Sequence, residues 1–243
     1  MKIRCLSGNM LKVLAAIFMT VDHVGLMFFP YNESFRIIGR LALPIFAFMI
    51  SEGARYTKSR LKYLGLIAAL AAVCQTVYYV AEGSLYMSIL VTFSLSIIMI
   101  YALDLLKCEL TRGKIRPLGL ILSALLFILS ILFSYFFCRF LKVDYGFFGT
   151  LLPLFASLPD MKRTGITLPA PLADIYPRIF TLGIGLILLS LEYPGGIQIY
   201  SLLALPLLCL YSGERGVLRM KYFFYIFYPL HLVLLEGIYI LTH

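Results

Sequence analysis

Charge is scarce in this sequence. Asp, Glu, Lys and Arg make up 14% of its 243 residues, against about 25% in soluble globular domains. Apolar residues reach 61% and mean hydropathy is +0.94. One small soluble core cannot bury that much apolar surface, and a lipid bilayer is the solvent that suits it. Polar linkers, acidic tails and low-complexity tracts are also missing. Nothing therefore divides the chain, and residues 1–243 read as a single membrane domain. Paired cysteines are missing: Cys5, Cys74, Cys108, Cys138 and Cys209 form no CxxC motif and no Cys/His cluster with zinc spacing. That excludes a disulfide framework and gives no case for a metal site, so the thiols read as small apolar residues in or near membrane helices. The apolar run after Lys2 and Arg4 is not followed by an A-x-A cleavage site, so it is expected to stay attached as a first transmembrane helix. No internal repeat is visible, which removes direct support for an inverted-repeat transporter.

What charge there is has one dominant sign. The 21 Lys and Arg outnumber the 12 Asp and Glu, for a net charge of +9. In a soluble protein this would raise nucleic acid as a partner. In a membrane chain Lys and Arg mark cytoplasmic loops and touch anionic head groups. The bilayer is therefore the expected partner, with no nucleic acid, and a basic loop could also hold an anionic cofactor.

A spanning helix needs about 20 largely apolar residues. Candidate spans lie at 10–29, 35–54, 61–81, 86–106, 117–138, 145–158, 175–191, 197–212 and 221–241. The expected fold is all-α, a polytopic transmembrane bundle of about nine helices, with eight or ten also compatible. The sixth and eighth spans are short, which points to tilted, re-entrant or discontinuous segments shielded by protein or lining a water-filled cavity. Loop charges alternate. Lys2 and Arg4, then Arg55, Lys58, Arg60 and Lys62, then Lys107, Arg112, Lys114 and Arg116, then Lys162, Arg163 and Arg178, and finally Arg215, Arg219 and Lys221 fall on one side. The intervening loops Pro30–Ser34, Glu82–Leu85 and Glu192–Gly196 are poor in Lys and Arg, and only Arg139 and Lys142 blur the pattern. The positive-inside rule then places the N-terminus in the cytoplasm and the C-terminus outside.

Ionisable groups within spans are costly, and by default they suggest function. Helix 1 carries Asp22 and His23; helix 2 begins with Arg36 and Arg40, spaced i,i+4 on one face, and ends at Glu52. Asp144 and Tyr145 open the sixth span on the outer side, and His231 follows Pro229 in the last. Each has a structural reading. Asp22 can neutralise Arg36 or Arg40, His231 can bond a carbonyl freed by the proline, and Glu52 can pair with Arg55 or Lys58 at the interface. His23 has the stronger functional reading: its neighbour Asp22 can orient or charge-balance the ring, and imidazole is the side chain suited to general-base work near neutral pH. Lys12 and His23 are eleven residues apart, which returns to nearly the same helix face roughly 16 Å along the axis. A cation at the mouth and a base deep in the helix suit an elongated anionic molecule, and equally a proton path.

The stretch LKVLAAIFMTVDHVGLMFF (Leu11–Phe29), followed by RIIGRLALPIFAFMISEGARY (Arg36–Tyr56), resembles the TraX family, whose type member is the F-pilin acetylation protein of conjugative plasmids. RLKY (Arg60–Tyr63), DYGFFGTLL (Asp144–Leu152) and YFFYIFYPLHL (Tyr222–Leu232) extend the resemblance over nearly the whole chain in the expected order. TraX proteins in turn look related to transmembrane acyltransferases, including the acyltransferase-3 family and heparan-alpha-glucosaminide N-acetyltransferase. Acyltransferase-3 proteins place a basic residue, usually Arg, eleven positions before a helix 1 His. Lys12 and His23 occupy those places, and Lys cannot bind phosphate in the bidentate way of Arg.

The resemblance implies a multi-pass protein of the bacterial inner membrane that uses acetyl-CoA, or another acyl-CoA, from the cytoplasmic side and needs no metal. His23 is the expected catalytic base, with Asp22 holding its ring or stabilising the imidazolium. Lys12, Arg55, Lys58 and Arg60 are the expected contacts to the acyl-CoA phosphates. Arg36, Arg40, Asp144, Tyr145 and His231 are candidates for the acceptor or the oxyanion. The acceptor is open: a pilin-like N-terminus, a sugar, or a small amine or alcohol. Two other readings stand beside this one, a proton-linked transporter of a small solute that uses Asp22, His23 and Arg40, and a structural membrane subunit.

Overall fold

The computed structural model describes residues 4–114, 116–193, 196–217 and 220–242. Of the expected loop charges, Lys2, Arg219 and the Lys221 side chain lie outside the described residues, as do residues 194 and 195 of the Glu192–Gly196 loop. The fold is all-α, as expected of a helical membrane bundle. Five helical segments are long and apolar enough to cross a bilayer: Gly8–Phe28, Glu33–Tyr56, Arg60–Val80, Ile89–Leu110 and Pro117–Phe140. Shorter apolar helices occupy Gly146–Ser157, Ile197–Cys209 and Ile226–Thr242. The chain forms two compact units, one of residues 1–49 and 186–243, the other of residues 50–185.

In the first unit, α1 (Gly8–Phe28) starts at Ser7, whose hydroxyl accepts from the Met10 N–H. The loop before the last helix finishes this cap. Glu214 and Arg215 carbonyls accept from the N–H groups of Gly8 (2.8 Å) and Asn9 (3.0 Å), so exposed backbone donors at the helix start are satisfied. Leu11, Ala15 and Met19, spaced i,i+4,i+8, form the buried face of α1. α2 (Glu33–Gly39) folds back against it, with Asn32 capping Ser34 and Phe29 stacked on Phe35 at 5.0 Å. Two glycines set the closeness of this hairpin. A Cβ on Gly25 would overlap the Phe35 side chain, and one on Gly39 would overlap the Asp22 carboxylate.

The second expected span, 35–54, is not one helix. It breaks after Gly39 and resumes as α3 (Ala42–Tyr56). Pro44 lies in the first turn of α3 and has no N–H to offer the Arg40 carbonyl, so the α-helical ladder cannot run through this point. The eighth span is also discontinuous, as its shortness suggested. A 3-10 helix covers Ile197–Leu203. The α-helix α10 (Ala204–Cys209) continues this segment. Pro206 removes the donor that would have bonded Leu202 in a continuous α-helix. The last helix, α11 (Lys221–Thr242), contains Pro229 and packs against α1.

The second unit is arranged around α5 (Ile89–Leu110), which packs against α4 (Arg60–Glu82), α6 (Pro117–Phe140) and α7 (Gly146–Ser157). Its sides are buried almost all round, through Thr92, Phe93, Ser96, Ile97, Met99, Ile100 and Leu103. Ala54, Met99, Ile100, Leu103 and Leu154 form one apolar cluster. Small hydroxyl residues make the closest contacts, as membrane interfaces favour: Ser134 and Thr150 hydroxyls lie 2.9 Å apart, and Ser96 donates to the Thr150 carbonyl at 2.7 Å. On α6, Leu122, Leu125, Leu129, Phe133 and Phe136 stay exposed, the face suited to lipid. α4 ends on Gly83 at φ +62, a left-handed stop that glycine takes without strain. A single turn, α8 (Ala170–Ala173), precedes α9 (Tyr176–Glu192).

Candidate active site

Two histidines meet in the first unit. His23 comes from α1 and His231 from α11, with His23 Nδ1 3.2 Å from His231 Nε2. Pro229 frees the start of this stretch from regular helix pairing, and His231 Nδ1 lies 3.0 Å from the Phe227 carbonyl. The His231 ring is buried, stacked on Phe227 at 5.2 Å and met edge-on by Tyr228 at 5.5 Å. These contacts assign the protons. A carbonyl only accepts, so His231 Nδ1 carries its hydrogen and donates it. With both rings neutral, His231 Nε2 is then an acceptor and His23 Nδ1 is the donor facing it. The nitrogen left with a lone pair is His23 Nε2. One tautomer of His23 is thereby selected, and its basic atom is directed away from His231.

Asp22 points elsewhere, as adjacent helical residues do. Its Oδ2 accepts from Arg36 Nη1 at 2.9 Å, and its Oδ1 is 3.7 Å from Arg40 Nη2. The orienting partner that adjacency suggested for His23 is thus His231, and Asp22 serves the two arginines, as its structural reading held. Arg40 Nη1 also donates to Gln198 Oε1 at 3.3 Å. Asp22, His23, Arg36, Arg40 and His231 therefore belong to one polar group in the first unit. Gln198 joins it, although reasoning from the sequence passed over it. Its signal was available: an amide in a short apolar span.

The expected phosphate contacts fall in different places. Lys12 is a half-buried residue of α1, on the same helix as His23. Arg55, Lys58 and Arg60 belong to the second unit. Arg55 lies 3.6 Å from Glu52 and 3.4 Å from Asp160. Arg60 bonds Asp104 at 2.8 Å and lies over the Tyr101 ring at 4.9 Å. Both charges are already answered by carboxylates. Lys58 is exposed, and Lys162 sits over the Tyr56 ring at 3.3 Å. Lys162 lies outside the spanning helices. Loss of hydration, followed by the charge of Arg55, lowers its pKa from the usual lysine value.

The other loop charges also find internal work. Arg178, read as a topogenic loop residue, is buried in α9 and pairs with Glu52, while its Nη2 donates to Ser51 at 2.9 Å and its Nε to the Ala156 carbonyl at 3.0 Å. Glu52 is consequently buried, not an interfacial residue, though it keeps the expected contact with Arg55. Arg163 donates to the carbonyls of Ala54 and Thr57 at 2.6 and 2.9 Å, closing the C-terminal end of α3. Asp144 accepts from the Tyr86 hydroxyl at 2.7 Å, and Tyr145 enters α7 at φ +56. Both are tied to the loop before α5 and the start of α7 in the second unit.

Comparison with known proteins matches the TraX protein family over residues 7–239. The chain belongs to the TraX family. A probable fimbrial assembly protein, FimC of serogroup H1, from Dichelobacter nodosus is 29% identical over 246 residues, covering 94% of each chain. An uncharacterised protein of Rickettsia prowazekii (strain Madrid E) is 52% identical over 40 residues, 16% of each chain. No solved structure matches. Three of the stretches that carried the TraX likeness contribute residues to the first unit, while Arg60–Tyr63 and Asp144–Leu152 lie in the second. Asp22, His23 and Gly25 come from the DH-G element, Arg36, Gly39 and Arg40 from the R--GR element, and Tyr228, Pro229 and His231 from the YPLH element. In this TraX-family chain the glycines of the first two elements are the positions where a Cβ would strike Phe35 and Asp22. The motif residues without ionisable side chains thus hold α1 and α2 close enough for the Asp22–Arg36 pair.

Proposed function

We propose that this TraX-family protein is a membrane-embedded acyltransferase that moves an acetyl group from acetyl-CoA, or the acyl group of a related CoA thioester, to an amine or hydroxyl acceptor. The observation that carries this reading is the His23–His231 pair, which leaves His23 Nε2 as a half-buried base in a defined tautomer. His23 Nε2 takes the proton from the acceptor as its nitrogen or oxygen attacks the thioester carbonyl. The C–S bond then breaks, and the proton goes to the departing thiolate, giving the acylated acceptor and free CoA thiol. As His23 becomes cationic, its Nδ1–H···Nε2 bond to His231 strengthens, because a charged donor bonds more strongly than a neutral one. Arg36 and Arg40 supply positive charge for the oxyanion of the tetrahedral intermediate. Lys12, half-buried on the same helix as His23, is the candidate phosphate contact in the first unit.

The resemblance to a fimbrial assembly protein and the TraX affiliation favour a pilin-type polypeptide as acceptor over a sugar or a small alcohol. Alternating loop charge favours a bacterial inner-membrane protein with its N-terminus in the cytoplasm, where acyl-CoA is available. The test is label transfer from radiolabelled acetyl-CoA in purified protein with pilin peptides bearing free N-termini. Transfer that vanishes in His23→Ala is expected, and undiminished transfer in that variant would overturn the mechanism.

A second reading, a proton-linked transporter, is favoured by one observation. The segment Ile197–Cys209 changes from 3-10 to α-helix beside polar buried residues, as broken helices at transport sites do. Thermal stabilisation by CoA separates the two. Binding to the folded state raises the melting temperature by mass action, and a transporter with no CoA site is indifferent.

A further inference from the structure

Cations outnumber carboxylates at one end of the second unit. Glu52 and Arg178 are both buried and answer each other. With that pair set aside, Arg55, Arg60, Lys107, Lys162 and Arg163 gather around two carboxylates. Asp104 serves both Arg60 at 2.8 Å and Arg163 at 3.5 Å. Asp160 faces Arg55 at 3.4 Å, and its other oxygen accepts the Lys162 backbone N–H at 3.1 Å. Apart from the 3.6 Å contact of Arg55 with Glu52, no further ion pair reaches these five cations among the described residues. Helix ends take up part of the excess. Lys107 stands in the last turn of α5 and its Nζ donates to the Ser157 carbonyl, which ends α7, at 2.7 Å. Arg163 donates to the Ala54 and Thr57 carbonyls at the end of α3. Each C-terminus is worth about half a negative charge, so these three ends offset roughly half of the excess.

Burial tells where the remainder sits. Lys107 is buried, whereas Lys162 is exposed and the side chains of Arg55 and Arg163 stay 20% and 25% exposed. These three meet at the last turn of α3. Arg55 belongs to that turn, Lys162 lies over the Tyr56 ring, and Arg163 binds the carbonyls. Their carboxylate contacts are longer than the roughly 2.7–2.9 Å of a charge-assisted hydrogen bond, and the Nε of both arginines has no hydrogen-bond partner among the described residues. The carboxylates here temper charge without engaging the donors.

Position says what completes the cluster. The segments Glu33–Tyr56 and Arg60–Val80 are each long and apolar enough to cross a bilayer, so their junction at residues 57–59 falls at a membrane face. Tyr56 and Leu61, on either side of it, are 53% and 82% exposed. Exposed Tyr beside cations is the composition of the head-group zone, where Lys and Arg hold anionic lipid. We propose that Arg55, Lys162 and Arg163 form a site for the phosphate group of an anionic phospholipid. The site is independent of the acyl-transfer reading, whose two histidines belong to the other unit.

The probe is phosphatidylglycerol titrated into purified full-length protein in a neutral detergent. Phosphatidylcholine and inorganic pyrophosphate, at matched ionic strength, are the other arms. Native mass spectrometry and thermal shift read the binding. Phosphatidylglycerol should bind saturably and raise the melting temperature, and the other two should do neither. Lys162→Ala should weaken the binding about fivefold, the worth of one cation beside an anionic head group, and Lys162→Arg should restore it. Arg55→Lys keeps the charge but loses the planar fork, and it should weaken binding as well. Lys62→Ala, which removes an exposed lysine of α4, should leave it unchanged. Equal responses to phosphatidylglycerol and phosphatidylcholine would overturn the proposal. So would equal losses in Lys62→Ala and Lys162→Ala, which would make the attraction diffuse. Stabilisation by pyrophosphate that matches phosphatidylglycerol would give the cluster to a soluble phosphate compound and overturn the lipid assignment.

Discussion

At the scale of single residues, the His23–His231 pair gives each ring a different role. His231 makes no contact that requires it to meet substrate. It acts through His23, by accepting the Nδ1 proton while the Phe227 carbonyl holds its own. Under the proposed acyl transfer it is a positioning residue. His231→Ala is expected to lower kcat about 10²–10⁴-fold, the range for a disabled acid–base group, with KM for acyl-CoA little changed. His231→Gln, whose amide oxygen can accept from His23 Nδ1, should recover part of the loss. A merely packing role for His231 predicts instead that Leu or Phe rescues better than Gln, which the same steady-state assay reads. A second residue-scale expectation concerns Glu52. Removing one member of a buried ion pair strands the other charge, here Arg178. Glu52→Ala should destabilise the protein by roughly 3–5 kcal/mol, measured as loss of the folded fraction in detergent, whereas the exposed Lys58→Ala should be within about 0.5 kcal/mol of the parent. His23 was legible in the sequence because an imidazole beside a carboxylate in an apolar run stands out. Its true neighbour was not, because 208 positions separate His231 from His23 and only packing of α11 against α1 joins them. Arg178 was misread for a related reason: a cation at the edge of an apolar run looks the same whether it faces solvent or turns inward to Glu52.

At the scale of elements, hydropathy found the segments and missed their breaks. Apolar runs of spanning length announce themselves by composition, and each expected span contains helix. The interruptions at Arg40–Leu41 and at Leu203–Ala204 leave composition untouched, so a sliding average passes through them. The signal lies in Pro44 and Pro206, which remove single backbone donors. The contact of α1 with α2 depends on a comparably small feature. At Gly39 an added methyl meets the Asp22 carboxylate, whereas at Gly65 on α4 it meets nothing within 4 Å. Gly39→Ala should therefore cost about 1–3 kcal/mol, as overpacked sites do, and should disturb the Arg36–Asp22 pair. Gly65→Ala should be neutral or stabilising by up to about 1 kcal/mol, since alanine favours helix over glycine. Paired thermal melts of the two variants check both statements, and equal effects would mean that α1 and α2 do not depend on Gly39 for their approach.

For the whole molecule, the charge pattern predicts an orientation. The loop residues rich in Lys and Arg and those poor in them alternate along the chain, and basic loops stay on the cytoplasmic side of the membrane. Part of that basic inventory proves to be internal. Arg178 is buried against Glu52 and Arg163 closes α3, so neither counts as a free loop charge. The contrast nevertheless survives their removal, because the exposed Lys58 and Lys62 still differ from the Pro30–Ser34 loop, which has no Lys or Arg, on the other side of the second span. Two exposed positions make the contrast measurable: Tyr31, 99% exposed, and Lys58. Single cysteines placed there in a background with Cys5, Cys74, Cys108, Cys138 and Cys209 all replaced by alanine should label oppositely with a membrane-impermeant maleimide. Tyr31→Cys is expected to react in intact cells stripped of outer membrane, and Lys58→Cys only after permeabilisation. The reverse result would put the basic loops outside. It would also separate Lys58 and its neighbours from cytoplasmic acyl-CoA, so the same labelling that fixes the orientation bears directly on which side the acyl donor can approach from.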